Sequence, residues 1–382
     1  MQNFTFYNPT KIEFGKDKEK EIGTHLKKCN IKKVLLTYGS ERIKKDGLFD
    51  IVEKSLNENN IEFIAVGGIV SNPVLSKVYE IISIAKEEKV DAILSVGGGS
   101  VLDSSKAIAA GALYDGDVWD FFIGKALVQK ALPIFDILTL AATGSEMNCG
   151  AVITNENTKQ KYAIQSPLLY PKVSVINPEL MKTISKDYLV YSAADIIAHS
   201  IEGYFTATIH PTYINRQIEA IIKTVMQTTE ILIHNPDDYN ARAEFAWAAT
   251  NALNGLTYVG ISEFSYPNHM IEHSLSALYN VPHGAGLSVV MPAWMKWYKS
   301  KNEAQFKRFA KEIFELETAE EGIDALEAWF NKVGTPTKLS QFNIQISDTD
   351  KILENLLENA QYFGIKEIYT KDVLTKILNN AF

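Results

Sequence analysis

Two kinds of segment divide this chain, and their order limits the fold more than any other feature. In the first half, short apolar runs rich in β-branched residues alternate with stretches of helical spacing. The runs are KVLLTYG (33–39), IEFIAVGGI (61–69), VDAILSVGGG (90–99), IFDILTLAATG (core 135–144) and KVSVINP (172–178), bounded by Gly, Asn or Pro. Between several of them lie segments such as DGLFDIVEKSLNENN (46–60) and NPVLSKVYEIISIAKEEKV (72–90), each opening on a capping residue type or proline. This βαβ alternation predicts a Rossmann-like α/β domain. Its parallel sheet is covered by helices on both faces, and ligands bind beyond the carboxyl ends of the strands.

From Lys186 onward the strand signal stops. Long helical patterns follow: DYLVYSAADIIAHSIEGYF (187–205), INRQIEAIIKTVMQTTEILIHN (214–235) and ARAEFAWAATNALNGL (241–256), with more to the C-terminus. At 382 residues the chain is too long for one ordinary core. We therefore expect an α/β domain over 1–183 and an all-helical domain over 184–382. No fixed-period repeat or low-complexity stretch points to a solenoid or a flexible linker.

Charge narrows the partners. The formal net charge of −8 comes without a basic tract, which argues against nucleic acid and against an anionic membrane surface. No apolar run approaches the length of a membrane span, and the N-terminal stretch is polar and broken by proline, so the expected address is the cytoplasm. The two cysteines, Cys29 and Cys149, are far apart and fit neither a disulfide framework nor a zinc ribbon.

Two strand exits carry chemistry. SVGGGSVLDSSKAIAA (95–110) runs from a predicted strand straight into a helix, so free backbone N–H groups and the helix dipole point beyond the strand end. Phosphate is their natural guest, although glycines there also suit a tight turn. The spacing is neither the dinucleotide fingerprint nor a P-loop. The second exit, LTLAATGSEMNCG (138–150), offers the hydroxyls of Thr139, Thr143 and Ser145.

The third signal is histidine. PNHMIEHSLSALYNVPHGAG (267–286) holds three of the chain's seven histidines, His269, His273 and His283. SAADIIAHSIEGYF places Asp195 and His199 four apart on one helical face. A lone histidine on an apolar face is more often a packed residue than a ligand. If Asp195 and His199 meet His269 and His283, however, one carboxylate and three imidazoles converge, a set suited to Zn²⁺ or Fe²⁺ rather than Mg²⁺ or Ca²⁺. His25, His210 and His234 lie in polar or loop-like surroundings and are expected at the surface.

Together, GGGSVLDSSK, TGSE, DIIAHSIE and HMIEHSLSALYNVPHGAGLS resemble the group III, iron-containing alcohol dehydrogenases, in their butanol dehydrogenase or aldehyde reductase branch. The resemblance runs from YNPTKIEFGK (7–16) to GTPTKLSQFNI (334–344). It implies a dehydroquinate-synthase-like fold, a site in the cleft between an α/β cofactor domain and a helical metal domain, and a homodimer. It implies NAD(P)H-linked interconversion of short-chain aldehydes and primary alcohols. Asp195, His199, His269 and His283 match the metal ligands, and His273 the catalytic histidine beside the nicotinamide. Gly97, Gly98, Gly99 and Ser100 match the pyrophosphate loop. Asp103, Thr139, Thr143, Val152, Lys161 and Asn72 match further cofactor contacts, beside the Ser145 hydroxyl of the second exit, which we also expect at the cofactor. At the adenosine ribose, in YGSERIKK (38–45), Gly39 stands where relatives preferring NAD carry Asp. Without that carboxylate, and with Ser40 and Arg42 able to hold a phosphate, the resemblance points to NADP(H) over NAD(H). Glycerol dehydrogenase chemistry on the same fold is the neighbouring reading. A metallohydrolase using the His/Asp cluster to activate water is the alternative of another class.

Overall fold

The computed structural model describes all residues, 1–382, as two compact units. One comprises Tyr7–Ile184; the other comprises Ser185–Phe382 together with Met1–Phe6, a short terminal segment whose attachment to the helical unit the sequence pattern did not predict.

The first unit is built on a six-stranded sheet of order β1-β8-β5-β4-β2-β3. Its strands are β1 (Lys11–Phe14), β2 (Lys33–Tyr38), β3 (Glu62–Val66), β4 (Ala92–Gly98), β5 (Ile134–Leu140) and β8 (Val173–Ile176), all parallel. A separate antiparallel pair, β6 (Gly150–Asn155) and β7 (Gln160–Gln165), lies between β5 and β8 in sequence. The helices are α1 (Ile22–Lys28), α2 (Arg42–Lys45), α3 (Leu48–Glu58), α4 (Leu75–Glu87), α5 (Gly99–Gly111) and α6 (Trp119–Phe122). β2, β4 and β5 are buried almost throughout because helices cover both faces, and this is why they read as continuous apolar runs. Val34, Leu36, Leu94, Val96, Phe135, Ile137 and Val175 pack with Ile22, Leu26, Val52 and Leu56 of α1 and α3.

One row of the sheet is polar. Thr37 is paired with Ser95, Ser95 with Asp136, and Asp136 with Ser174, so four buried polar side chains line up across the central strands. Burial pushes the Asp136 carboxyl well above the usual carboxylate range.

The second unit holds α7 (Lys186–Thr206), α8 (Thr212–His234), α9 (Tyr239–Ala252), α10 (Pro267–Tyr279), α11 (His283–Tyr298), α12 (Glu303–Phe314), α13 (Ala319–Val333), α14 (Thr349–Tyr362) and α15 (Lys371–Ala381). Local signals set their ends. Ser185 accepts from the Tyr188 N–H at the start of α7; Thr318 and Glu321 form a capping box on α13, which stops at Gly334 in the left-handed region. No helix is long and apolar enough to cross a membrane.

Candidate metal centre and nucleotide loops

α7 carries Asp195 and His199 on adjacent turns of one buried face. α10 begins on Pro267, where a missing N–H costs nothing, and so places His269 in its first turn. α11 opens on His283, and glycine brings it close: a Cβ at Gly284 would lie 2.0 Å from the Tyr191 carbonyl oxygen of α7. The four predicted ligands meet there. Asp195 Oδ1 lies 3.6 Å from His199 Nε2, 3.9 Å from His269 Nε2 and 3.5 Å from His283 Nε2. Donors about 2.1 Å from a tetrahedral cation stand roughly 3.4 Å apart, close to the Asp195–histidine separations; ligand atoms of Asp195, His199 and His269 all lie within 4.8 Å of one another, and His283 adjoins that group through Asp195.

The donors themselves also fit a cation. Asp195 Oδ1 and His269 Nε2 are buried with no hydrogen-bond partner, which would be costly if nothing bound them. Burial pulls the His199 pKa down to about 3, with Asp195 opposing, and so keeps its imidazole neutral, the form that ligates metal. The Asp195, His199 and His269 side chains are almost wholly buried, whereas His283 remains partly exposed.

Two carboxylates that sequence reasoning missed complete the centre. Glu202 Oε1 accepts from the backbone N–H of His269 at 3.0 Å and lies 2.9 Å from its Nδ1; Glu202 Oε2 accepts from Asn268 Nδ2 at 3.0 Å. One buried carboxylate therefore serves the first-turn donors of α10 and fixes the His269 ring so that Nε2 faces Asp195. Glu272 does the same for His283, with its Oε2 against Nδ1 and its Oε1 accepting from Ser276. A readable signal existed: Glu202 follows His199 by three residues on the same face, and Glu272 sits inside HMIEH.

His273 is buried on α10, one turn beyond His269. Its ring centre lies 6.4 Å from that of His269, 5.7 Å from that of His283 and 5.6 Å from Phe363. Tyrosines also pack against the centre. Tyr266 meets His269 edge-on at 5.6 Å, and the Tyr258 hydroxyl donates to the His199 carbonyl at 3.0 Å.

In the α/β unit, Gly97 and Gly98 end β4 and Gly99 opens α5, with Ser100 in its first turn. Crowding gives these glycines a steric reason of their own: a Cβ would come within 2.4 Å of Val101 at Gly97 and of Thr143 at Gly99. The closeness of Gly99 and Thr143 joins the two predicted strand exits. Asn72, in the left-handed region, accepts from Lys161 Nζ at 3.1 Å, which joins two more predicted contacts. Asp103 holds Ser145 Oγ at 2.7 Å and the Val152 N–H at 2.9 Å. Thr139 is buried beside the Arg42 guanidinium at 3.4 Å. Ser40 is exposed and Gly39 is half-buried. Arg42 also donates to Thr183 at 2.8 Å, and Glu41 accepts from the Tyr38 hydroxyl, so both charged side chains of this turn have local partners.

Of the histidines expected at the surface, His234 is exposed and His210 is half-buried, but His25 is buried on α1 beside Glu13. The packing of α1 under the sheet, invisible in a polar local sequence, overturns that expectation.

Comparison with known proteins agrees with this architecture. Residues 9–178 match the family described as iron-containing alcohol dehydrogenase, and residues 189–382 match the C-terminal region of the Fe-containing alcohol dehydrogenase family. The chain is 39% identical over 383 residues to a probable NADH-dependent butanol dehydrogenase of Bacillus subtilis, covering 98% of each chain. It is 31% identical to the NADPH-dependent aldehyde reductase of Escherichia coli over the whole of both chains. A crystal structure described as an NADH-dependent butanol dehydrogenase A from Thermotoga maritima superposes with a TM-score of 0.97 at 49% identity, over 100% of this chain and 99% of that one. These matches lie with oxidoreductases and set the metallohydrolase alternative aside. The chain belongs to the iron-containing alcohol dehydrogenase family.

Proposed function

We propose that this oxidoreductase reduces short-chain aldehydes to primary alcohols, and runs the reverse reaction, with its metal held by Asp195, His199, His269 and His283. Its family and relatives establish NAD(P)H-linked alcohol–aldehyde interconversion. The observation that carries the finer reading is the meeting of three imidazole nitrogens around one unpartnered carboxylate oxygen. When bound, Fe²⁺ or Zn²⁺ supplies Lewis-acid polarisation of a carbonyl, which lowers the barrier to hydride delivery from a reduced nicotinamide.

The protein's part is orientation and proton handling. Glu202 and Glu272 hold the Nδ1 side of His269 and His283, keeping both Nε2 lone pairs directed to Asp195. His273, a turn away and backed by Phe363, carries the proton given to the substrate oxygen. Gly97 to Ser100 receive the diphosphate on the first turn of α5. Asn72, Lys161, Thr139, Thr143, Ser145, Val152 and Asp103 shape the rest of the nucleotide face.

NADP(H) is favoured over NAD(H), because Gly39 leaves the turn after β2 without a carboxylate at its first position, while Ser40 and Arg42 stand beside it. The names of the relatives include both nucleotides. The family resemblance also supports a cytoplasmic location and a homodimer, and light scattering on the purified protein would measure the dimer. The deciding experiment is anaerobic loading with Fe²⁺ or Zn²⁺, then nucleotide oxidation with a series of short aldehydes and both nucleotides. Turnover with aldehydes and a higher kcat/KM for NADPH are expected. Absence of turnover with every aldehyde would overturn the reading.

A further inference from the structure

Lys106 lies on α5 with no solvent exposure. A buried ammonium is costly unless its three N–H groups are all satisfied. Here Nζ lies 2.8 Å from both the carbonyl and hydroxyl oxygens of Ser145. It is 2.9 Å from Asn148 O, 3.1 Å from Asn148 Oδ1 and 2.8 Å from Gly150 O. All five acceptors belong to one short segment, the exit of β5 that runs into β6. Asp103, one turn earlier on α5, grips the same region through Ser145 Oγ and the Val152 N–H. Thr143 is packed against Gly99, at the very start of that helix.

Lys106 spends every donor on the segment whose Thr143 packs against the opening of α5, and so ties the two together. We propose that Lys106 is a positioning residue for the nucleotide: it fastens segment 143–150 to the helix whose first turn receives the diphosphate, so that both loops meet the cofactor as one preorganised body. This rests on the reading of Gly97 to Ser100 and Thr143 as nucleotide contacts.

The groups around the ammonium make the device sensitive to alkali. Burial pulls the Lys106 pKa down to about 8, against Asp103 on the same helix, Cys149 and Glu146 in the segment, and Asp136 on β5, all of which favour the charged form. Neutral, the amine keeps two donors for five acceptors, and the segment loosens.

The test is fluorescence titration of NADH and NADPH into the metal-loaded holoenzyme without aldehyde, for wild type, Lys106→Gln and Lys106→Met, together with steady-state kinetics. Both variants should raise the nucleotide Kd by about tenfold or more while leaving kcat at saturating nucleotide within about threefold of wild type and metal content unchanged. Wild-type affinity should fall several-fold between about pH 7 and 9.5; Cys149→Ser should keep that fall, and Lys106→Gln should flatten it. Lys106→Gln binding with wild-type affinity would overturn the proposal. Should neither variant fold, a wild-type affinity unchanged to about pH 9.5 would overturn it instead. A wild type that binds neither nucleotide would sink the underlying reading of the loops, an outcome distinct from both.

Discussion

The candidate metal centre and the candidate nucleotide loops pose opposite recognition problems. In the helical unit, side-chain atoms converge and are left unpaired, with Asp195 Oδ1 and His269 Nε2 buried without partners and two further carboxylates aligning the rings. In the α/β unit two charged side chains serve the scaffold: Asp103 holds Ser145 and the Val152 N–H, and Lys106 holds the segment from Ser145 to Gly150, beside the glycines that open α5. A compact divalent guest needs a few strong donors aimed at a point. An extended diphosphate is better met by a row of backbone N–H groups that glycine lets it approach. In the candidate metal centre buried donors are left unpaired, whereas Asp103 and Lys106 are spent on the chain itself.

Substitutions can break or sharpen that contrast. The largest effect is expected from His199→Ala, which should remove the metal and lower turnover by about a thousandfold or more; a stoichiometric metal found by elemental analysis would show that the ligand set is wrong. His273→Ala should keep the metal but lower kcat by about a hundredfold and alter the pH dependence of the rate. An unchanged pH profile would make His273 a packing residue. Glu202→Gln and Glu272→Gln should each weaken metal affinity about 10- to 100-fold in chelator competition, without moving nucleotide affinity. Equal losses of both would erase the division between the two regions.

The smallest effect concerns scaffold charge alone. Asp136 has a folded-state pKa raised above its unfolded value of about 3.9, so the folded state binds the extra proton and wild-type stability falls as pH rises from there towards the folded pKa. Asp136→Asn removes that dependence. Its melting temperature should gain on wild type by roughly a few degrees between about pH 5 and 8, read by calorimetry. A gap that stays constant with pH would show that Asp136 is charged throughout.

Legibility in the sequence largely followed burial, with the half-buried edge strand β3 the exception. β2, β4, β5 and β8 are buried nearly end to end and appear as apolar runs; β1 is a four-residue edge strand, KIEF, and the β6–β7 pair is interrupted by the polar turn NENTK, so neither carried a run to read. The four metal-ligand candidates were readable because histidine is scarce and Asp195 and His199 share a helical spacing. Glu202 and Glu272 were not singled out although their spacing to the histidines was readable, since glutamate is common on helices and spacing alone does not separate a buried anchor from a solvated side chain. Lys106 was hidden for the same reason, and His25 was misjudged because its local sequence, THLKK, looks like surface.

By itself, then, the sequence determined the class of each half and the chemical types at each strand exit and histidine cluster, because periodicity and residue rarity are local properties. Only the tertiary structure decided which carboxylates orient the imidazoles, that Met1–Phe6 packs with the helical unit, and that Lys106 and Asp103 face inward onto the chain. Those outcomes depend on which side chains lose water and what they meet when they do, and that is set by residues tens of positions away.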